Sequence, residues 1–597
     1  ITIALKGTTI GTTTDGTGHY FLKNLPEGTF TIEVSSVGYK TVSQQVKLSK
    51  GKTVEMNFEI EEDMVLLDGV VVSANRNETT RRLAPTLVNV MDMKLFENTN
   101  STCLAQGLSF QPGVRVENNC QNCGFQQVRI NGLDGPYTQI LIDSRPIFSE
   151  LSSVYGIEQI PANMIERVEV MRGGGSALFG SSAIAGTINI ITKEPVRNFG
   201  QVAHSSTNIG GSSDWDHSTT LNASLVTDNH KAGIYIFGQN RQRSGYDADG
   251  DGFTELPTLR NQTVGFRSFL KTSTYSKLTF EYHHLQEFRR GGNLLDRPAH
   301  EADIAEQTEH SINTGGLKFD YFSPDEKQRL SLYASAQHID RNSYYGGGQD
   351  LNAYGSTNDL TWVAGGQYVY SFDRCLFMPA DLTGGIEYNQ DKLDDQMWGY
   401  NRYTKQETRI ASAFVQNEWK NHYWSFLLGG RLDKHNLIDH VIFSPRANVR
   451  FNPTDNLNFR ASYSFGFRAP QAFDEDLHIE NVGGTVSMIE LADDLREEKS
   501  QSISLSADMY HRWGNWQGNL LVEGFYTRLD DVFALTPVGT RDGVLIYKRC
   551  NESGAQVYGM NLEGKVAYRN KWQMQAGVTL QKAEYREARN WSEDSRV

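Results

Sequence analysis

From about residue 196 onward the chain alternates in steps of two. Leu278, Phe280 and Tyr282 interleave with Thr279, Glu281 and His283, and Leu382, Gly384, Ile386 and Tyr388 with Thr383, Gly385, Glu387 and Asn389. Successive side chains of a strand point to opposite faces, so each such segment is apolar on one face and polar on the other. The connections fall into two classes. Tight polar turns at residues 227–230, 274–277, 323–326, 452–456 and 569–571 alternate with mostly longer loops near 243–262, 290–310, 341–361, 466–499 and 529–554. Short turns on one rim and long loops on the other are the pattern of a transmembrane β-barrel with a polar lumen. About 17 strands can be counted before the chain ends, whereas single-chain bacterial barrels have even numbers, so the wall is expected to stop before closure.

Composition agrees with this reading once hydropathy is set aside. The 597 residues carry 57 Lys plus Arg against 71 Asp plus Glu, a net charge of -14, which argues against a protein that coats nucleic acid. With 55 Gly and 11% aromatic residues the chain is neither a coiled coil, nor collagen-like, nor disordered. Mean hydropathy is -0.48, and no stretch comes near 18 apolar residues, so there is no transmembrane helix or secretory apolar segment to find. A barrel passes both tests, because its strands average out polar. Length alone suggests three or four domains. The chain opens at Ile1 in what reads as a strand, and its start is expected to have been cleaved or cut. Its 5 cysteines are too few for a disulfide scaffold.

Three further regions precede the alternating one. Residues 1–62 are rich in Thr, Val, Gly and Ile, with turn signals at Asp15-Gly16, Pro26-Glu27-Gly28 and Gly38, and read as a small β-sandwich. The runs Gly11 to Phe21, Asn24 to Ile32 and Val37-Gly38-Tyr39 resemble the carboxypeptidase-regulatory-like domain, without its usual first strand. Residues 63–76 form a linker behind the acidic joint Glu61-Glu62-Asp63. It holds the β-prone run Leu67, Asp68, Gly69, Val70, Val71, Val72 and Ser73, which suits either strand addition to a partner sheet or one more strand of the sandwich. Residues 77–195 are mixed αβ, with helices expected near 102–109 and 161–165 and strands near 128–130 and 139–143.

Within this third region the run from Ile165-Glu-Arg-Val-Glu-Val170-Met-Arg172 through Gly173, Gly174, Gly175, Gly180 and Gly186 to Thr192 resembles the end of the plug domain of TonB-dependent outer-membrane receptors. Val128-Arg-Ile-Asn131-Gly132 with Ile140-Leu-Ile-Asp143 resembles an earlier part of the same plug. The resemblance implies a mainly β fold: a plug of residues 77–195 occluding a transmembrane barrel, residues 196–597. Barrels of that family have 22 strands, so about five would be absent here. It implies an active transporter in the outer membrane of a Gram-negative cell, surrounded by lipid, with no covalent chemistry of its own. Residues 67 to 73 then look like the TonB box, the segment that the energising periplasmic protein TonB pairs with. A surface lipoprotein is a candidate further partner. An adhesin or passive porin would keep the barrel but leave plug and box unexplained. An enzyme reading finds only His284 and Glu287 at zinc-ligand spacing, and on a strand an offset of three puts these on opposite faces.

The cargo is the open question. Phe467-Arg468-Ala469-Pro470, then His478 and Ala492-Asp493-Asp494-Leu495, is similar to the haem-receptor arrangement of a FRAP box, a loop histidine and an NPNL-like box. The second box departs from its pattern. Neutral imidazole is a sound axial ligand for haem iron, so His478 and Arg468 are candidate ligand residues; a solvated loop histidine is the plain alternative. Haem receptors often carry a second histidine at the plug, and residues 75–195 contain none. Cys120 and Cys123, spaced CxxC, read as a disulfide in an oxidising compartment or, with Tyr137, as contacts to iron or haem. Cys375 and Cys550 read as isolated thiols. Asp247, Asp249 and Asp251 at positions 1, 3 and 5, with Gly252 at 6 and Glu255 beyond, resemble an EF-hand-like Ca²⁺ loop, although Thr258 at position 12 excludes a full EF-hand. The alternatives are a calcium-ordered loop and a solvated acidic turn. Haem or another iron chelate leads as cargo, and cobalamin, whose receptors in this family resemble the chain in using calcium to order outer loops, is the second reading.

Overall fold

The structure, a computed structural model, describes residues 1–597 apart from 16, 24, 37–38, 62, 64–68, 121–123, 147–151, 472–486, 570, 588–589, 593–594 and 597. Among the described residues one 18-stranded sheet runs in sequence order from Phe199–Asn208 to Trp572–Tyr585. The strand that the sequence count lacks is the short Ser487–Leu491, which lies in a loop and pairs in parallel with Val544–Tyr568. The remaining wall strands pair antiparallel with their chain neighbours; Phe280, for example, stands opposite Ser268 and Leu317. The alternation resolves as the sequence implies. Ile386 is 68% exposed on the outer face, while its neighbour Glu387 is 5% exposed in the lumen. Outward side chains such as Val264, Phe280 and Leu505 are those that meet acyl chains in a bilayer. No helix among the described residues is long and apolar enough to cross a membrane. The wall is not closed by the described residues: Phe199–Asn208 and Trp572–Tyr585 each pair on one side.

Three sequence expectations are corrected. The long loop expected near 341–361 shrinks to residues 348–353, because strands Gln328–Gly347 and Tyr354–Cys375 run into it from both sides. Residues 529–554 are not a loop: Trp516–Arg541 and Val544–Tyr568 form one long hairpin that turns at Asp542 and Gly543. Past the membrane both faces of a strand meet water, so alternation fades while backbone pairing continues. The helix expected at 161–165 is a single 3₁₀ turn, Ala162–Met164, that delivers the chain into strand Ile165–Arg172. The expected helix near 102–109 is Leu104–Leu108, and the expected strands are Phe125–Ile130 and Thr138–Ile142.

The plug is a four-stranded mixed sheet in the order Thr138–Ile142, Gly186–Thr192, Ile165–Arg172, Val88–Asp92. Its first pair is parallel and the others antiparallel. Ile140, Ile142, Val168, Val170, Ile188 and Ile190 form its core together with Leu104 and Leu108 of the helix. Asp92 caps the helix Met93–Asn98, its Oδ1 accepting from Leu95 N at 3.1 Å. The glycines after Arg172 serve backbone conformation and close approach. Gly173 has φ +84°, and a Cβ on Gly186 would lie 2.3 Å from Met171 O, a distance no side chain tolerates. The N-terminal region is a four-stranded sheet in the order Gly11–Thr13, Thr2–Leu5, Gly28–Ser35, Val42–Leu48. Tyr20, Leu22, Leu25, Met56, Phe58 and Ile60 pack on its apolar residues.

Candidate functional site

A plug inside a polar lumen cannot be held by apolar packing alone, and here it is held by buried charge. Arg172, at the end of its strand, directs Nε to Glu523 at 2.9 Å and Nη1 to Glu563 at 2.5 Å. Both carboxylates belong to the wall, and all three side chains are nearly inaccessible. Arg81 reaches the wall beside them, donating from Nη1 to Tyr510 Oη at 2.7 Å, with Asp508 at 3.8 Å. On the other side of the lumen Arg76 lies 3.3 Å from Glu387, which also pairs with Arg431 at 3.0 Å. An ion pair in such a dry position tolerates both partners or neither.

The segment Gly69–Ser73 is docked into the plug rather than left hanging. Val70–Val71 pairs antiparallel with Thr79–Thr80, and Gly69 O accepts from Arg81 N at 2.8 Å. Val71 is fully buried among Val88, Leu141, Met171 and Phe179. Glu169, fully buried on the central plug strand, accepts three hydrogen bonds on one oxygen: from Val72 N and Ser73 N, each at 2.9 Å, and from Ser73 Oγ at 2.7 Å. Its other oxygen accepts from Arg167 Nε at 2.9 Å. Asn189 Nδ2 donates to Ser73 Oγ at 3.0 Å. Sequence reasoning missed Glu169, although a lone acid between Val168 and Val170 on a core strand is a visible signal. Leu67 and Asp68 lie outside the described residues.

At the outer rim the structure brings Tyr137 and Arg468 together. Tyr137 Oη donates to Glu498 Oε1 at 3.0 Å, Arg468 Nη1 lies 3.6 Å from Glu498 Oε2, and the guanidinium sits 5.4 Å from the Tyr137 ring. Phe533 completes the cluster, its ring also 5.4 Å from Arg468. Burial, then the Glu498 charge, pushes the Tyr137 hydroxyl well above the ordinary phenol range, so it stays a neutral donor. Glu498 was not foreseen; it stands directly opposite Arg468 in the wall. His478 and Cys123 lie outside the described residues, and Cys120 ends strand Val114–Cys120. Cys375 and Cys550 are free.

The acidic loop folds back on itself. Asp247, Asp249, Asp251 and Glu255 place one carboxylate oxygen each within 4.8 Å of the others. Asp247 accepts from Gly250 N at 2.7 Å and Gly252 N at 2.8 Å, with both glycines at positive φ. The loop ends against the plug. Pro257 O accepts from Arg243 Nε at 3.1 Å, and Arg243 Nη1 reaches Glu158 at 2.9 Å. Glu158, on plug helix Ser152–Gln159, also pairs with Arg241 at 3.2 Å and Arg289 at 2.9 Å. Arg289 Nη1 in turn donates to Gly124 O at 2.8 Å. Burial opposes ionisation of Glu158, yet Arg243, Arg289 and Arg241 hold its carboxyl well below the usual range. The zinc-like pair is dispersed as expected: His284 Nδ1 is 3.0 Å from Asn313 Oδ1, while Glu287 is buried with Arg289.

Comparison with known proteins assigns this arrangement. The family model described as TonB dependent receptor-like, beta-barrel, matches residues 194–596. The chain belongs to the TonB-dependent receptors. The receptor's residues 80–187 match the TonB-dependent receptor plug domain, and residues 1–72 the CarboxypepD_reg-like domain. A barrel of this family lies in the outer membrane of Gram-negative bacteria. A vitamin B12 transporter, BtuB, of Vibrio vulnificus is 24% identical over 361 residues, 58% of this receptor and 54% of the relative. A ferric enterobactin receptor of Pseudomonas aeruginosa is 31% identical over 137 residues, 21% of this chain and 18% of its own. The receptor thus spans about half or less of these relatives' length. Among solved structures, the siderophore receptor PirA of Pseudomonas aeruginosa superposes with a TM-score of 0.67 at 19% identity, covering 83% of this chain and 85% of that one. The alcaligin receptor FauA of Bordetella pertussis gives 0.65 at 16%, covering 87% and 85%. At these identities the likeness is one of fold.

Proposed function

We propose that this receptor imports a scarce metal chelate, haem or a ferric siderophore, across the outer membrane, powered by TonB through residues 67 to 73. The observation that carries the reading is the docking of Gly69–Ser73 on Glu169, at the core of a plug that fills the lumen. A segment with β-forming backbone, held by a few separable hydrogen bonds, suits capture by strand addition once it is released. The Arg468–Tyr137–Glu498 cluster, whose Arg468 stands ten residues before His478 in the chain, supports a polar floor for an anionic chelate. Catalysis has no part in the reading.

Deleting residues 67 to 73 tests it. Surface binding of labelled haemin, ferric enterobactin or cyanocobalamin should persist while energy-dependent accumulation falls to background. Accumulation at the undeleted rate would refute active transport. For haem in particular, a Soret shift on binding that His478→Ala leaves unchanged would remove that residue as axial ligand.

Cobalamin is the second reading, supported by the four gathered carboxylates of the acidic loop and by the B12 transporter among the relatives. Oxygen ligands at this density suit Ca²⁺, which would order the loop against Pro257 and so against the plug apex. The double variant Asp249→Asn, Asp251→Asn should abolish any tightening of cyanocobalamin binding by millimolar Ca²⁺, expected to be about tenfold (about 1.4 kcal/mol). Equal binding with Ca²⁺ and with a chelator in the unmodified receptor would dismiss the calcium role.

A further inference from the structure

The N-terminal sheet is docked on the barrel. The turn between Thr2–Leu5 and Gly11–Thr13 lies against the rim of short turns: Thr9 N donates to Thr274 O at 2.8 Å and Thr9 Oγ1 to Ser273 O at 3.0 Å. At the neighbouring turn Gly7, φ +68°, meets Glu326 so closely that a Cβ on Gly7 would lie 2.6 Å from Glu326 Cγ. Across the same rim Glu61 pairs with Arg512 at 3.1 Å, an exposed contact that guides position more than it adds stability. The sheet, with the Glu61 stretch that follows it, thus touches three separate hairpins of the wall.

Between sheet and plug lies a vestibule of about 1140 Å³. Thr2, Lys6 and Thr9 line it from below, and Val72, Arg76 and Arg145 from the plug side. This is the side on which Gly69–Ser73 emerges, opposite the long loops. Its volume exceeds that of ordinary small-ligand pockets.

We propose that the N-terminal sheet is the floor of an exit vestibule: docked, it bars the way out of the lumen, and cargo that has passed the plug leaves when the sheet swings off the rim. The inference rests on the import reading above. Three features favour a floor that opens. The contacts described are hydrogen bonds, one exposed ion pair and a glycine approach, which separate without exposing an apolar core. They are made at turns or at the strand ends beside them, as with Ser273 and Arg512, where the wall is least regular. The sheet is also joined through one short linker to residues 67 to 73, so a pull on that segment falls on the docked sheet as well as on the plug.

A reversible cross-link tests this in cells carrying the receptor. A Cβ on Gly7 would lie 3.4 Å from Glu326 Cβ, close to the spacing a disulfide requires. Both residues have positive φ, so the pair Thr9→Cys, Thr274→Cys serves as a second variant alongside Gly7→Cys, Glu326→Cys. Under oxidation the pairs should cross-link, leave surface binding of haemin, ferric enterobactin and cyanocobalamin intact, and lower accumulation at least tenfold, with recovery on reduction; single-cysteine controls should be unaffected. Accumulation by the cross-linked receptor at the reduced rate, or failure of both pairs to cross-link, overturns the floor. If the unmodified receptor accumulates none of the probes, the import reading fails and takes this proposal with it.

Discussion

Replacing Arg172 by Ala is expected to unseat the plug. The substitution leaves Glu523 and Glu563, each almost wholly buried, facing one another without the guanidinium that both contact. Removing one partner of a buried ion pair costs about 3–5 kcal/mol because the orphaned charge stays desolvated, and here two are orphaned. Asn89 and Asn561, which hydrogen-bond to the same carboxylates at 3.4 Å and 3.0 Å, compensate only in part. The measurable result is a lumen that leaks: higher conductance in planar bilayers and protease access to residues 80–187. Adding Glu523→Gln and Glu563→Gln should restore much of the seal, since the triple variant leaves neither wall carboxylate without its counter-charge while Arg81 keeps Asp508 beside it. A tight plug in the single variant would show that the ion pairs only decorate the interface.

The second large effect concerns the tether. Glu169→Ala removes the acceptor of the segment's three hydrogen bonds at once, along with the Arg167 bond; two of the three come from backbone N–H groups that no side-chain change can withdraw. Bonds to a charged acceptor are worth about 1.5–3 kcal/mol each, though the freed groups regain water when the segment lifts away. A net loss of about 2–3 kcal/mol shifts the docked-to-free ratio roughly 30- to 150-fold. A cysteine placed at Val70 should react with a maleimide faster by about that factor in the Ala variant, and a TonB fragment should bind more tightly. Glu169→Gln should fall between, because an amide oxygen still accepts but carries no charge. Unchanged labelling would mean that Val71 burial, not Glu169, holds the segment.

How much of this was legible in advance follows from how far apart the cooperating residues lie. The wall was readable because its rule is local: Phe280 and Glu281 disclose opposite faces within two residues. The acidic loop was readable for the same reason, its four carboxylates falling within nine consecutive residues. The hairpin through 529–554 was misread because alternation reports a boundary between lipid and water, and above the membrane there is none. Glu498, Glu169 and the Thr9–Thr274 contact escaped because each acquires meaning from a partner between 30 and 361 residues away, and nothing in one sequence names such partners.

The meander has a consequence for assembly. Wall strands pair with their chain neighbours, so the wall can grow hairpin by hairpin with little loop entropy to overcome. The plug cannot settle on that schedule. Its anchors are made early and their partners last: Asn89 waits for Glu563 across 474 residues, and Asn131 for Asn561 across 430. Until strands Trp516–Arg541 and Val544–Tyr568 arrive, Arg172 has no counter-charge, and seating the plug would strand a cation in a half-built lumen. The cork therefore goes in after the bottle is blown, and a chain stalled before those strands would hold its plug outside.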